Sequence, residues 1–118
     1  MPIENALASV AVRDLDAAVA WYEKVLGRPA DHRPMAELAE WQFGRGGGLQ
    51  VYRLAERAGH GSFTLAVGDL DAEIARLDAL GVDTGQRASG ANVKTLMITD
   101  PDGNHVAFAE ATGPGYAR

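Results

Sequence analysis

The sequence predicts an α+β protein built from two similar halves, and three observations predict it. The first is an internal repeat: Ala11-Val12-Arg13-Asp14-Leu15-Asp16-Ala17-Ala18-Val19-Ala20 is echoed by Ala66-Val67-Gly68-Asp69-Leu70-Asp71-Ala72-Glu73-Ile74-Ala75, 55 residues later, with seven of the ten positions identical. The second is a change of period. In both copies the apolar spacing passes from two to about 3.6 at Asp-Leu-Asp, which reads as strand, tight turn and helix. The third lies after each helix, where short alternating segments punctuated by glycine and proline read as strands. An offset close to half of 118 residues makes residues 1–118 one domain of two modules, about 6–55 and about 60–110, with a tail at 111–118.

Taken in order, Leu7 to Val12 alternate as a strand, with Ala8, Val10 and Val12 on one face and Leu7, Ser9 and Ala11 on the other. Asp14 is placed to cap a helix running to about Leu26, whose stripe of Leu15, Val19, Tyr22 and Leu26 faces inward and whose left-handed cap is Gly27. Trp21 and Tyr22 pack that helix on the sheet. Pro29 and Pro34 restrict residues 28–40 to an edge strand or loop, which holds His32 as a solvated loop histidine. Residues 40–43 and 48–54 read as strands joined at Gly44-Arg45-Gly46-Gly47. That glycine cluster lacks the Lys-Ser/Thr and helix of a phosphate loop. Residues 55–59 form a polar joint.

The second half repeats the plan. Residues 62–67 form a strand, and Leu70, Ile74, Leu77 and Leu80 form the stripe of a helix between the caps Asp69 and Gly81. Leu70, Ile74 and Leu77 stand 55 residues from Leu15, Val19 and Tyr22, so the core positions repeat as well as the letters. Residues 82–87 read as a short strand, 88–92 as a flexible loop, and 93–99 and 104–110 as the last two strands, joined by Asp100-Pro101-Asp102-Gly103. Gly113-Pro114-Gly115 ends the ordered chain, and the tail beyond it is expected to fray.

The two faces of these strands differ. Val10, Val12, Leu49, Val51, Phe63, Leu65, Val67, Val106 and Phe108 make one face bulky and apolar, so it should carry the helices. Ser9, Ala11, Gln50, Tyr52, Ser62, Thr64, Ala66, His105, Ala107 and Ala109 make the other small or polar, as the lining of a roomy cleft would be.

Composition excludes several function classes. The chain has no cysteine, so it holds no disulfide, thiolate metal site or cysteine nucleophile, and a reducing, cytoplasmic setting is expected. A formal charge of −5 without a basic cluster argues against nucleic acid and anionic membrane as partners. Neither a signal-peptide start nor a membrane-length apolar run is present.

Two strand-turn-helix units carrying Val12-Arg13-Asp14-Leu15-Asp16-Ala17-Ala18-Val19-Ala20-Trp21-Tyr22-Glu23-Lys24-Val25-Leu26-Gly27, with Asp100-Pro101-Asp102-Gly103-Asn104 before the last strand, resemble the glyoxalase / bleomycin-resistance / extradiol dioxygenase superfamily, the vicinal oxygen chelate proteins. The resemblance spans about residues 6–110. It implies two βαβββ modules forming a curled eight-stranded mixed sheet around a cleft, with helices on the outer face and a second subunit completing or sharing the cavity.

Enzymes of this superfamily hold a divalent metal with histidines and glutamates on the cleft-facing strands. By position, the resemblance puts those ligands at Leu7, Ser62, Ala107 and Gln50, or Tyr52 if the register slips by two. Leucine and alanine have no donor atoms, and neutral serine and amide oxygens are poor ligands for Zn, Ni or Fe. The expectation is therefore no metal and no cofactor. His60 and His105 fall on the cleft side by alternation but have no clear third ligand, and no Ser-His-acid order supports nucleophilic catalysis. The resulting reading is a homodimeric, metal-free protein binding a small organic ligand, in the manner of an antibiotic-sequestering protein. Its cleft would be lined by Leu7, Ser9, Trp41, Gln50, Tyr52, Ser62, Thr64, Met97, His105 and Ala107. The alternatives are a glyoxalase-like lyase, isomerase or dioxygenase with displaced ligands or acid-base chemistry at His105 or His60, and a non-catalytic interaction module.

Overall fold

A computed structural model describes residues 2–114. Its elements run β1 (Leu7–Val12), α1 (Leu15–Leu26), β2 (His32–Met35), β3 (Leu38–Gln42), β4 (Gly48–Arg53), a 3-10 turn at Ala55–Arg57, β5 (Ser62–Ala66), α2 (Leu70–Ala79), β6 (Gln86–Ser89), β7 (Val93–Thr99) and β8 (His105–Ala111). This is α+β with two βαβββ modules. The eight strands form two four-stranded mixed sheets, ordered β1-β4-β3-β2 and β5-β8-β7-β6, each with one parallel pair and two antiparallel ones. Residue contacts group the chain into two compact units. One runs to Gly61 and includes Asp100–Asn104; the other comprises Ser62–Thr99 and the chain from His105.

In the first unit the Asp14 carboxylate accepts from Ala17 N at 3.2 Å, and Gly27, at φ 80°, closes the far end of α1 by donating to Glu23 O. The helix buries Leu15, Ala18, Val19, Tyr22 and Val25 against its sheet. Under it lie Val10, Val12, Ala39, Trp41, Leu49 and Val51, all nearly solvent-free, so the bulky face carries the helix as expected. The Tyr22 and Trp41 rings are 6.2 Å apart, and the Trp41 indole N–H donates to Arg28 O at 3.1 Å. Burial of each such large side chain stabilises the fold by about 1.5–3 kcal/mol.

This unit also contains a buried polar knot built on the turn 100–104. Asn104 is 0% and Asp100 4% exposed. The Asn104 amide donates to Ala11 O at 2.9 Å and to the Asp100 carboxylate at 2.8 Å, while its carbonyl oxygen accepts from Gly59 N at 3.1 Å and Gly61 N at 2.9 Å. Asp100 also accepts from the Tyr22 hydroxyl at 2.8 Å and from the backbone N–H groups of Asp102 and Asn104. Among the described residues every buried side-chain polar atom is paired, which is what makes such a cluster tolerable inside a core. Gly59, at φ +87°, is needed because a Cβ there would stand 2.4 Å from Asp102 O.

In the second unit Asp69 caps α2 through Ala72 N at 3.1 Å, and the Glu110 carboxylate accepts from Leu70 N at 2.8 Å. Helix α2 buries only Leu70 and Leu77 fully, over Leu96, Ile98, Val106 and Phe108.

The boundaries of β3 and β6 differ from the sequence expectation. Strand β3 begins at Leu38, because the turn before it is completed by Arg53 N donating to Glu37 O. The segment from Arg28 to Glu40 contains an edge strand, one of the two forms expected of it: β2, fully exposed at the end of the sheet order. Strand β6 covers Gln86–Ser89 and not 82–87. Residues before it are held out of the ladder by local bonds: Gly85 N to the Asp83 carboxylate at 2.9 Å, the Thr84 hydroxyl to Asp78, and Arg87 Nε to Thr84 O at 2.7 Å. The expected fraying after Gly115 lies outside the described residues.

Candidate functional site

The register of the first sheet arranges its helix-free face in three rows. One is apolar: Met35 pairs with Leu38, Leu38 with Tyr52, and Tyr52 with Ala11. The next is polar: His32 pairs with Glu40, Glu40 with Gln50, and Gln50 with Ser9. The third runs Gln42, Gly48, Leu7. Leu7 leans over Gly48, where a Cβ would stand 2.6 Å from the leucine Cδ2, so a glycine is required beneath it.

Hydrogen bonds tie the polar row together. The Ser9 hydroxyl donates to the Gln50 side-chain carbonyl at 3.1 Å, and the Gln50 amide donates to a Glu40 carboxylate oxygen at 3.0 Å. The direction is dictated by chemistry. An ionised carboxylate can only accept, so Gln50 must turn its NH₂ to Glu40 and its oxygen to Ser9. Beside these rows lies a cavity of about 630 Å³, lined by Ser9, Met35, Ala36, Glu37, Leu38, Gln50, Tyr52 and Arg53. Its volume falls in the range of small-molecule sites, and its lining mixes apolar surface with a few polar groups. At its rim Arg53 and Glu37 pair at 3.0 Å.

In the second sheet the helix-free face carries, row by row, Ser62 with His105 and Thr99, Thr64 with Ala107 and Met97, and Ala66 with Ala109 and Thr95. Of the residues expected to bind ligand, Ser9, Gln50, Tyr52 and Leu7 thus share one sheet face, and Ser62, Thr64, Met97, His105 and Ala107 share another.

Trp41 does not join them. It is the partner of Leu49, 0% exposed, on the face that carries α1, and the expectation that it lines the ligand site is corrected. The signal was present in the alternation of its own strand, where Glu40 and Gln42 are polar and Ala39 and Trp41 are not. Glu40, Leu38 and Met35 are the residues the sequence reading missed. Glu40 in particular gains its meaning only when β3 is registered against β4.

A divalent metal of the kind the fold family implies does not fit the residues present. Leu7 and Ala107 offer no donor, the Gln50 side chain is engaged by Ser9 and Glu40, and Ser62 is a neutral hydroxyl. Among the described residues no three His, Asp or Glu side chains converge. Tyr22, a phenol in a buried polar cluster, is not an acid or base at working pH. Burial, followed by the adjacent Asp100 carboxylate, holds its pKa far above the ordinary tyrosine range, so it remains a hydrogen-bond donor.

Comparison with known proteins places these features in context. A family model described as Glyoxalase-like domain matches residues 8–109. A glyoxalase / bleomycin resistance protein from Catenulispora acidiphila DSM 44928 is 39% identical over 90% of this chain and 96% of its own, with a TM-score of 0.82. An antibiotic binding protein from Streptomyces sp. CB03234 is 23% identical over 93% and 97%, with a TM-score of 0.79, and a lactoylglutathione lyase from Agrobacterium tumefaciens is 22% identical over 98% of each chain, with a TM-score of 0.79. Likeness at the latter two levels is a likeness of fold. A search of curated proteins found no match.

Proposed function

This chain belongs to the glyoxalase-like domain family, and from that premise we propose that it is a metal-independent binding protein for a small organic molecule of the antibiotic-like class. The observation that carries the reading is the cavity of about 630 Å³ on the helix-free face of the first sheet, where Tyr52, Leu38 and Met35 offer apolar contact and Ser9 and Gln50 offer polar anchors. Support comes from the side chains at the family's ligand positions, donor-free at Leu7 and Ala107 and only neutral oxygens at Ser62 and Gln50, and from a structural relative whose name describes antibiotic binding. The working form is a homodimer in the cytoplasm. The uncovered edge strand β2 and the exposed side chains of Leu7, at 49%, and Met35, at 64%, support self-association, and a cysteine-free sequence suits a reducing compartment.

The test is a thermal-shift screen of the purified protein against divalent metals and a panel of glycopeptide and aromatic compounds, after elemental analysis of the dialysed sample. A ligand that binds only the folded state raises the melting temperature by mass action. Organic ligands should raise it, metals should not, and Ser9→Trp, which fills the cavity from an exposed position, should abolish the ligand shift while leaving the apo melting temperature within about 2–4 °C. Zn, Ni or Fe retained near one per chain would sink the metal-independent reading, and sedimentation at the mass of one chain would remove the dimer.

A further inference from the structure

We propose that the ligand is an organic cation: its protonated amine is received by Glu40, and its apolar body lies on Leu38, Tyr52 and Met35. The inference rests on the binding site proposed above and specifies its chemistry.

Glu40 is half-buried on the helix-free face, in the row next to the apolar one. Two polar side chains support it, Gln50 directly and Ser9 through Gln50, and both also line the cavity. Yet neither brings a positive charge. The arginines of the sheet are engaged elsewhere, Arg33 with Asp16 at 3.4 Å and Arg53 with Glu37 at 3.0 Å, and among the described residues no ion pair is formed by Glu40. Its Cα partner on the outer side, His32, is exposed and is in no ion pair with it. A half-buried carboxylate that is oriented by neutral donors but not neutralised loses hydration without gaining a counter-charge. The second oxygen of Glu40 has no partner among the described residues, whereas Gln50 holds the first. A ligand ammonium fills that deficiency, since a charge-assisted bond to a carboxylate is about twice as strong as a neutral one.

The geometry also sets a length. Glu40 and Leu38 are two residues apart on β3, so their side chains stand about 7 Å from one another along the strand. An amine separated by about that distance from an aromatic or aliphatic body satisfies both rows. A carboxylate ligand would meet Glu40 as a like charge and be rejected.

The matched probes are 3-phenylpropylamine, its N-acetyl derivative and 4-phenylbutanoate, titrated into the full-length protein and followed by amide chemical shifts of β3 and β4. The amine should bind at least tenfold tighter than the N-acetyl compound, and the acid should bind weakest. Glu40→Gln keeps an acceptor for Gln50, so it should melt like the parent while the amine preference falls to within about twofold. Leu38→Ala should weaken the amine and the N-acetyl compound by equal factors. Equal affinity of amine and N-acetyl compound in the parent, or an amine preference that survives Glu40→Gln, overturns the cation assignment and leaves the binding site standing. Failure of all three probes and of the wider aromatic panel to shift any β3 or β4 amide overturns both.

Discussion

The two modules share a plan and part company on one face. Counting from the repeat and following the strand register, Tyr22 corresponds to Leu77 and Trp41 to Ile98 on the helix side, all four buried. On the other side Ser9, Gln50 and Glu40 correspond to Thr64, Ala107 and Met97, while Tyr52 and Leu38 correspond to Ala109 and Thr95. Helix-side positions exchange one large apolar group for another, because a helix must be packed on a sheet whatever the module does. Helix-free positions are under no such demand. There the first module places hydrogen-bonding and aromatic groups, and the second mostly small ones. The hydrogen-bonding and aromatic side chains of the helix-free faces are thus concentrated in the first half, on a scaffold that both halves share.

The largest expected effect breaks the shared part. Trp41→Ala should cost about 3–5 kcal/mol through lost transfer energy and an uncollapsed cavity, lowering the melting temperature by roughly 10–20 °C. Ile98→Ala in the second module should cost about 2–5 kcal/mol. Calorimetry on the two variants decides whether the modules rely on their cores to a similar degree; a Trp41→Ala protein that melts like the parent would return Trp41 to the solvent side.

Next in size is a difference between the modules. Tyr22 carries a hydroxyl that its counterpart Leu77 lacks, and it donates to buried Asp100 at 2.8 Å. Tyr22→Phe leaves that carboxylate one donor short and should cost about 1–3 kcal/mol. Because the folded-state pKa of Tyr22 is raised above the unfolded value of about 10, the folded state holds the proton more tightly. The contribution is therefore fully present below about pH 10 and declines as pH rises above it. Urea unfolding between pH 9 and 11 should show a loss of stability with pH in the parent that is smaller in Tyr22→Phe. Equal slopes in the two proteins would refute this.

The smallest effect sharpens the contrast on the helix-free faces. Ala107→Gln combined with Met97→Glu copies the polar row of the first sheet onto the second. Both positions are half-exposed, so the change in stability should stay within about 0.5 kcal/mol. A drop of several degrees in melting temperature would mean that the small face of the second module is packed rather than open.

Local chemistry made much of this legible from the letters. Both helices, their Asp caps and Gly27 depend on groups within a few residues of one another, so the repeat announced them, and period-two alternation separated Val10, Val12, Leu49 and Val51 from Ser9, Gln50 and Tyr52. Alternation also holds the answer for Trp41, which shares its face with apolar Ala39 and not with polar Glu40 and Gln42. Other features had no local signature. Alternation tells which face a residue takes but not which residue stands beside it, because a strand can pair in several registers with the same faces in and out. Only the registered sheet puts Glu40 beside Gln50 and Gln50 beside Ser9, and so turns three scattered polar letters into one oriented row. The same holds for Asp100-Pro101-Asp102-Gly103-Asn104. As a sequence it is a turn; in the folded chain Asp100 accepts from a tyrosine 78 residues away and Asn104 from the backbone of Gly59 and Gly61, bonds that exist only once distant segments have been brought together.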